Sequence, residues 1–268
     1  MRWVALLTLT ACGGAARASV VPSGPSLPVA PIAADVSETR APSGSSAPPA
    51  PAPLDPEWLA TQEPAAVLQP IVDGCQADMV PIGRFCIDRY EAPNVKGEIP
   101  FALQTAYDGE VWCGARGKRL CTQDEWVRAC EGPHGRTYPY GNDHRDGVCN
   151  DDRPWILVHW KALAKWPRDA AIDEATRLSQ ADMSGARDAC VSEEGVYDLT
   201  GNVAEWVRKS VPGPKPFYDH VLKGCYWAGC YKDPHPSCGF TNGAHPGTFR
   251  TYEAGFRCCA GRSPSVVR

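Results

Sequence analysis

Cysteine content constrains the fold of this chain more than any other feature of its sequence. Thirteen of the 268 residues are Cys, and all but Cys12 lie between Cys75 and Cys259. None of these later Cys forms a Cys-x-x-Cys pair, the spacing that is typical of zinc sites. Such a count indicates a protein that folds in an oxidising compartment and is cross-linked by disulfides. Twelve Cys allow on the order of ten thousand pairings, so the sequence alone leaves the connectivity open.

The N-terminus has the pattern of an export signal. Arg2 precedes an apolar run over residues 3–7, and small residues follow it. The sequence Leu-Thr-Ala-Cys at residues 9–12 resembles a bacterial lipobox, in which the Cys receives a lipid. We therefore predict a lipoprotein signal peptide over residues 1–12 with lipidation at Cys12; ordinary cleavage after residues 16–18 is the alternative. The segment is too short to span a bilayer.

Composition divides the rest of the chain into a tether, one domain and a short tail. Residues 13–72 are rich in Pro, Ala and Ser, so we predict a disordered tether that cannot bury enough apolar surface to fold. Residues 73–262 are predicted to form the domain and residues 263–268 a disordered tail. With a lipid anchor, we expect the protein in the bacterial cell envelope, at the outer membrane or as a periplasmic or extracellular protein.

The charge balance argues against nucleic acid as a partner. The formal net charge is −4, the pI is about 5.9, and no block of basic residues occurs. A nucleic-acid-binding surface needs clustered Lys and Arg to contact phosphates. The expected partners are instead the membrane, through the lipid anchor, and a peptide or a cell-envelope component.

Local patterns predict an irregular α+β domain with short strands, few helices and many loops. Tyr107, Val111 and Ala115 recur at helical spacing. Thr122 and Glu125 have the spacing of a capping box, in which each side chain bonds the other residue's backbone N–H. The patterns predict a hairpin at 79–83 and 85–90, helices at 105–116 and 123–130, and a partly helical insertion at 153–182.

Short motifs occur in a fixed order along the domain. Their segments are 81–85, 88–93, 117–126, 138–142, 195–198, 201–206, 222–227 and 255–258. Together they resemble the sulfatase-modifying-factor family, that is, the formylglycine-generating enzyme domain. The resemblance covers about residues 77–260 and implies the C-type-lectin-like α+β fold of that family. Cys121 stands where family members carry Pro, and Cys225 lies inside the segment where they carry Arg-Gly-Gly-Ser-Trp.

The Gly-Asn motif at 201–207 indicates a calcium site. Asp198 and Glu205 can converge on one point with backbone carbonyls between them, which is the donor set that Ca²⁺ prefers. The resemblance implies the side chains of Asp198 and Glu205 and the carbonyls of Gly201 and Val203 as ligands. The alternative is that the two acids cap a turn and solvate the start of the following element.

The resemblance implies a second calcium site and a copper site. Asn150 with the Asp151 carbonyl matches the start of the second calcium site. Family members bind copper(I) through two Cys that are separated by four residues, and soft thiolates suit that ion. Cys225 and Cys230 have this spacing but lie upstream of the expected position, whereas Cys238 lies near it without a partner. The alternative is that all three Cys are structural half-cystines.

Two disulfides and a groove complete the predicted site residues. The resemblance implies a Cys130–Cys258 disulfide, and Cys149 is expected to pair with Cys190 because the two flank the insertion. The resemblance also places His245 and Arg250 along the groove of the family; a surface role for this His is the alternative.

Two functions therefore remain open at the level of sequence. The first is an extracytoplasmic oxidoreductase of the formylglycine-generating type, which oxidises a peptide Cys. The second is a non-catalytic, calcium-stabilised binding module on a tethered lipoprotein. The resemblance to the family favours the first function, and the displaced position of the Cys pair favours the second.

Overall fold

The computed structural model describes residues 69–210, 215, 218–230 and 236–264. Nine short strands and four helices occur in these ranges. The strands are β1 (Ile71–Val72), β2 (Cys75–Gln76), β3 (Met79–Ile82), β4 (Phe85–Asp88), β5 (Arg119–Leu120), β6 (Ala204–Arg208), β7 (His220–Lys223), β8 (Ala254–Phe256) and β9 (Cys258–Gly261). The helices are α1 (Ala106–Ala115), α2 (Gln123–Glu131), α3 (Trp160–Leu163) and α4 (Asp169–Leu178). The predicted α+β class with short strands and few helices is confirmed.

One sheet joins the two ends of the domain. Its strand order is β3-β4-β9-β5, with every neighbouring pair antiparallel. The predicted hairpin is the β3–β4 pair, in which Ile82 faces Phe85 across the turn. Because the C-terminal strand β9 lies between β4 and β5, the sheet is complete only when the whole domain has been made.

A second sheet has the strand order β7-β6-β8. The β6–β7 pair is antiparallel and the β6–β8 pair is parallel. A parallel pair needs a long connection, and here residues 209–253 supply it. The central strand β6 carries the Glu-Trp half of the Gly-Asn motif, and Trp206 is fully buried there.

Both predicted helices are present. At the start of α2, Thr122 Oγ1 accepts from the Glu125 backbone N–H at 3.3 Å, and the Glu125 carboxylate accepts from the Thr122 N–H at 2.9 Å. Helix α1 begins with a second capping box, made by Thr105 and Asp108. The reciprocal bonds fix where each helix starts, because they satisfy backbone donors that have no partner inside the helix.

The buried face of α1 differs from the predicted one. Tyr107 and Val111, whose spacing predicted the helix, are 49% and 58% exposed, and Trp112 and Cys113 face the core instead. Gly109 is also on the core side, where an added Cβ would lie 2.8 Å from Leu120. The spacing did not indicate this face because, apart from Trp112, its buried residues are small or polar and give weak hydrophobic signals.

Six disulfides join the twelve Cys of the domain. Three of them span more than 100 residues and tie the segment around α1 and α2 to the C-terminal part of the chain. The pairs are Cys75–Cys86, Cys113–Cys258, Cys121–Cys259, Cys130–Cys238, Cys149–Cys190 and Cys225–Cys230.

The expected Cys130–Cys258 disulfide is wrong, whereas the expected Cys149–Cys190 disulfide is present. Cys258 pairs with Cys113 at a Cα separation of 5.6 Å, and Cys130 pairs with Cys238 at 5.5 Å. Both separations suit a disulfide. The error arose because the resemblance did not account for Cys113, which is the partner of Cys258, or for Cys238, which is the partner of Cys130.

The insertion and the domain limits differ in detail from the sequence interpretation. Helices α3 and α4 lie within residues 153–182, and Leu163 and Leu178 pack with Trp227 and Tyr252. Strand β1 begins before the predicted domain start, and Ser263 donates a backbone hydrogen bond to Gly74.

None of the helices in the described ranges is long and apolar enough to cross a membrane. Cys12 and residues 1–68 and 265–268 lie outside the described residues, so the signal, lipidation and most of the tether and tail stay predictions.

Candidate functional site

The Gly201-Asn202 turn anchors three distant segments. Gly201 has a φ of 77°, and an added Cβ would lie 2.3 Å from the Asn150 carbonyl oxygen, so only Gly fits here. The Asn202 backbone N–H donates to the same carbonyl oxygen at 2.7 Å. Its side chain donates to Glu91 at 3.0 Å and accepts from the Asp182 N–H at 2.8 Å. The turn therefore links residues 91, 150 and 182.

Glu205, from the same motif, forms a fully buried ion pair with Arg257. Arg257 donates through Nη2 to Oε1 at 2.6 Å and through Nε to Oε2 at 2.7 Å. The indole N–H of Trp126 donates to Oε2 at 2.8 Å. Arg257 also donates to the Tyr197 carbonyl at 2.9 Å. Bidentate geometry of this kind is the strong form of the Arg–carboxylate pair.

Two further acids, Glu91 and Asp198, are buried beside this pair. Glu91 accepts from the Val203 N–H at 3.3 Å and from the Ser184 hydroxyl at 3.2 Å. Asp198 accepts from the Gly185 N–H at 2.7 Å. Burial, and then the charge of Asp198, raise the pKa of Glu91 well above its usual range. Burial likewise raises the pKa of Asp198 to about 6, although the Gly185 N–H and Arg257 oppose the shift.

These residues do not fit the predicted calcium site. Both oxygens of Glu205 are engaged by Arg257 and Trp126, and the guanidinium charge would repel a divalent cation from the place where Asp198 and Glu205 were expected to meet. Gly201 and Val203 lie in the intervening turn, but Glu205, one of the two predicted side-chain ligands, is not available. The cationic partner of Glu205 is therefore Arg257, and we derive no role for calcium here.

Two Arg side chains also lie at the second predicted calcium site. Asn150 Oδ1 accepts from Arg153 at 3.0 Å and from Arg187 at 3.3 Å. The Asp151 carboxylate lies 3.1 Å from His144 Nε2. Within the described ranges, no three His, Cys, Asp or Glu side chains are grouped so that they could hold a metal ion.

We expect Asp198→Asn to stabilise the domain above pH 6 and to flatten its pH dependence. The folded pKa of about 6 exceeds the ordinary value of 3.8, so the wild type loses stability as pH rises from about 4 through about 6. Asn keeps an acceptor for the Gly185 N–H and tolerates the φ of 57°. The gain in unfolding free energy at pH 8 should be on the order of 2 kcal/mol.

Urea denaturation at pH 4, 6 and 8 measures this effect. Asp188→Asn is the control, since the Asp188 side chain is 87% exposed and its substitution should leave the pH profile unchanged. An Asp198→Asn profile that runs parallel to the wild type would show that Asp198 does not titrate in this window.

A cavity of about 510 Å³ lies on the other side of β6. Ala204 lines it, and successive residues of a strand point to opposite faces, so the cavity and the Glu205 cluster lie on opposite faces of one strand. Trp155 and Trp160, from the insertion, line the cavity and remain 59% and 56% exposed. The aromatic residues of its wall are Trp155, Trp160, Tyr226, Phe240, His245, Phe249 and Tyr252.

The Cys225–Cys230 disulfide forms part of the same wall. It closes a short turn in which Tyr226 and Gly229 form a bridge, and Cys225 has a φ of 59°. The predicted copper Cys are thus divided between two disulfides. Cys225 and Cys230 lie at the cavity as a bonded pair, and Cys238 is buried in the core and bonded to Cys130.

Of the two predicted groove residues, only His245 lines the cavity. Its ring stacks on Phe249 with 4.0 Å between ring centroids, and burial lowers its pKa. Arg250 is instead directed to Asp108, at 2.7 Å, and to the Leu103 carbonyl. The cavity also has a half-buried acid, Glu253, whose carboxylate forms a short hydrogen bond with the Thr251 hydroxyl.

Comparison with known proteins identifies the family. The family described as sulfatase-modifying factor enzyme 1-like domain matches residues 86–261, which is more than half of the chain. The chain belongs to this family. The matched range begins on β4 and ends on β9, so it includes the three-stranded sheet, the four-stranded sheet without β3, the buried acids and the aromatic cavity. The predicted formylglycine-generating-enzyme-type fold, disulfide-rich and α+β, is therefore confirmed.

Curated relatives of this sulfatase-modifying-factor domain are longer proteins. The chain is 29% identical over 178 residues to the Bos taurus protein named inactive C-alpha-formylglycine-generating enzyme 2, covering 64% of this chain and 54% of that protein. It is 31% identical over 134 residues to the Mus musculus protein of the same name, covering 49% and 39%. The chain thus spans about half or less of these relatives.

Solved structures similar to this domain include Treponema denticola variable protein 1. The TM-score is 0.46 at 14% identity, covering 72% of this chain and 94% of that chain. PvdO from Pseudomonas aeruginosa has a TM-score of 0.43 at 17% identity, covering 72% and 89%.

The sequence interpretation missed three groups that the sulfatase-modifying-factor domain brings together. Glu91 and Arg257 were visible only as members of motifs, and no spacing rule connects residues so far apart. Glu253 follows Tyr252 in a loop without a recognisable pattern. The apolar Trp155 and Trp160, within a segment rich in Lys and Arg, were the one local signal that could have pointed to an exposed aromatic surface.

Proposed function

We propose that this domain is a non-catalytic binding module that works outside the cytoplasm, with the aromatic cavity as its ligand site. One observation carries the proposal. All three Cys that could bind copper, Cys225, Cys230 and Cys238, are consumed by disulfides. A disulfide sulfur cannot act as a thiolate ligand, so the copper chemistry of the active family members lacks its donors.

Three further observations support the proposal. Six disulfides in one domain are typical of proteins that fold in an oxidising compartment, which supports a location in the cell envelope. The two mammalian relatives carry names that state that they are inactive, and the same condition is proposed for this chain. A concave, mostly apolar cavity with a few polar groups is the usual form of a ligand site.

An oxidase is the second candidate function, because Cys225 and Cys230 lie together on the cavity wall. Reduction of this disulfide would leave two thiols beside the cavity, and two close thiolates are a suitable site for copper(I). Cys238 could not take part, since it is buried in the core and bonded to Cys130.

Two measurements decide between these functions. We expect thiol titration of the denatured, unreduced domain to find no free thiol among Cys75–Cys259, and peptide mapping to recover the six disulfides. We also expect no aldehyde when the protein is incubated with copper(I), oxygen, a mild thiol reductant and a Cys-containing peptide. The matched control is the Cys225→Ala/Cys230→Ala variant, which should behave as the wild type. Aldehyde that forms with the wild type and not with this variant would establish the oxidase and overturn the binding module.

A further inference from the structure

The aromatic cavity has a single charge among its described lining residues. Glu253 is the one acidic side chain there, and neither Lys nor Arg contributes to the part of the wall that the structure describes. Among the ion pairs of the described residues, none includes Glu253. Its side-chain partner is the neutral hydroxyl of Thr251. A carboxylate at a cavity without a cationic partner favours a ligand that supplies the cation.

The remaining walls are suited to the same ligand. The aromatic rings belong to separate segments: Trp155 and Trp160 come from the insertion, Tyr226 from the disulfide-closed turn, and Phe249 and Tyr252 from the loop before β8. Ring faces attract organic cations, and the attraction grows when the site is shielded from water. Trp155 and Trp160 are more than half exposed, so packing within the domain leaves much of their ring surface accessible to a ligand.

We propose that the cavity binds an alkylammonium group, held between the aromatic rings and neutralised by Glu253. The proposal rests on the proposed function, in that it names the ligand class of the binding module. The cation would stack against Trp155, Trp160 and Tyr226 and lie within reach of the Glu253 carboxylate. Two sources offer this chemistry, a free quaternary ammonium compound and a methylated Lys side chain of a peptide.

The pH dependence of binding follows from the groups that face Glu253. Burial raises its pKa to about 7, so the carboxylate gains its charge between about pH 6 and 8. Burial raises the pKa values of Tyr226 and Tyr252, so both stay neutral in this window, and burial lowers the pKa of His245, which favours its neutral form. Affinity for a cation should therefore increase from pH 6 to pH 8, and affinity for a neutral ligand should not.

Calorimetric titration of the disulfide-intact protein, without copper, tests the proposal. The probes are choline and 3,3-dimethylbutan-1-ol, which has the same shape without the charge. We expect choline to bind at least about tenfold more tightly than the alcohol at pH 8, the factor that a desolvated cation–π contact supplies. N-acetyl-trimethyllysine methylamide tests the peptide source, and tighter binding of this probe than of choline would assign the cation to a peptide.

Variants separate the contributions of charge and ring. Glu253→Gln should weaken choline binding at least about tenfold and remove its pH dependence, while binding of the alcohol stays unchanged. Trp155→Ala should weaken both probes, and because this side chain is largely exposed, the thermal unfolding midpoint should not fall. Asp188→Asn is the matched control, an exposed acid that does not line the cavity, and should bind as the wild type.

The outcomes distinguish this inference from the proposed function. Equal affinity for choline and for the neutral alcohol would overturn the cation class, although the cavity would still be a ligand site. Absence of binding by all three probes would also overturn it. Neither result depends on copper or on peptide oxidation, which is the separate measurement that decides whether the domain is an enzyme.

Discussion

Replacing Arg257 with Met is expected to lower the free energy of unfolding by about 3–5 kcal/mol, the usual cost of removing one partner of a buried ion pair. The substitution leaves the carboxylate of Glu205 in the core with only the indole N–H of Trp126 as a donor. It also removes the donor to the Tyr197 carbonyl. The loss should be smaller at pH 5 than at pH 8, because protonation can then neutralise the unpaired acid.

Chemical denaturation at both pH values measures this loss. Arg208→Met is the matched control, because Arg208 makes a bidentate pair with Glu110 while its side chain remains 47% exposed. The control should cost less than about 1 kcal/mol, as exposed ion pairs do. The double variant Glu205→Gln/Arg257→Met should recover part of the stability, since the charge of Glu205 is removed together with its partner. A similar loss for Arg257→Met and Arg208→Met would show that burial does not strengthen the Arg257 pair.

Removing the Cys113–Cys258 disulfide is expected to cost about 3 kcal/mol, although its own sequence separation of 145 residues would predict about 5 kcal/mol from loop entropy. The reason is that Cys121–Cys259 already closes nearly the same loop. Its two ends lie eight positions and one position from those of the first disulfide. Only a small extra loop is therefore released when either bond is lost alone.

The variants Cys113→Ala/Cys258→Ala, Cys121→Ala/Cys259→Ala and their combination test this redundancy. Loss of both disulfides should exceed the sum of the two single losses, because the combination releases a much longer loop. Guanidinium denaturation gives the free energies, and peptide mapping verifies that the other disulfides remain. A loss of about 5 kcal/mol from the first variant, or strict additivity, would contradict the shared-loop explanation.

Local sequence patterns predicted the elements whose stability is itself local. The capping box at Thr122 and the hairpin around Gly83 depend on contacts between residues that are close in the chain, so short-range rules suffice. The expectation of which face of α1 is buried was wrong, because the helix packs closely through Gly109 and Ala106, which give no hydrophobic signal. The motif order predicted the family, since each motif keeps a fixed place in the fold.

The candidate site was predicted less well, because its contacts join distant residues. Asp198 and Glu205 were expected to converge on a calcium ion, but the cation beside Glu205 is Arg257, which lies 52 positions later in the chain. The spacing of Cys225 and Cys230 matched a copper-binding pair, whereas the structure shows that they are bonded to each other on the wall of an aromatic cavity.

The sequence by itself determined that this is a disulfide-stabilised α+β domain of the sulfatase-modifying-factor type, because Cys content, caps and motif order are properties of residues near one another in the chain. The tertiary structure decided which Cys pair, which charge compensates Glu205, and that Glu253 lies among aromatic rings. These outcomes depend on distances between segments that meet only after folding. Once water is excluded, the surroundings of a charge decide whether its interactions stabilise the fold or its burial destabilises it.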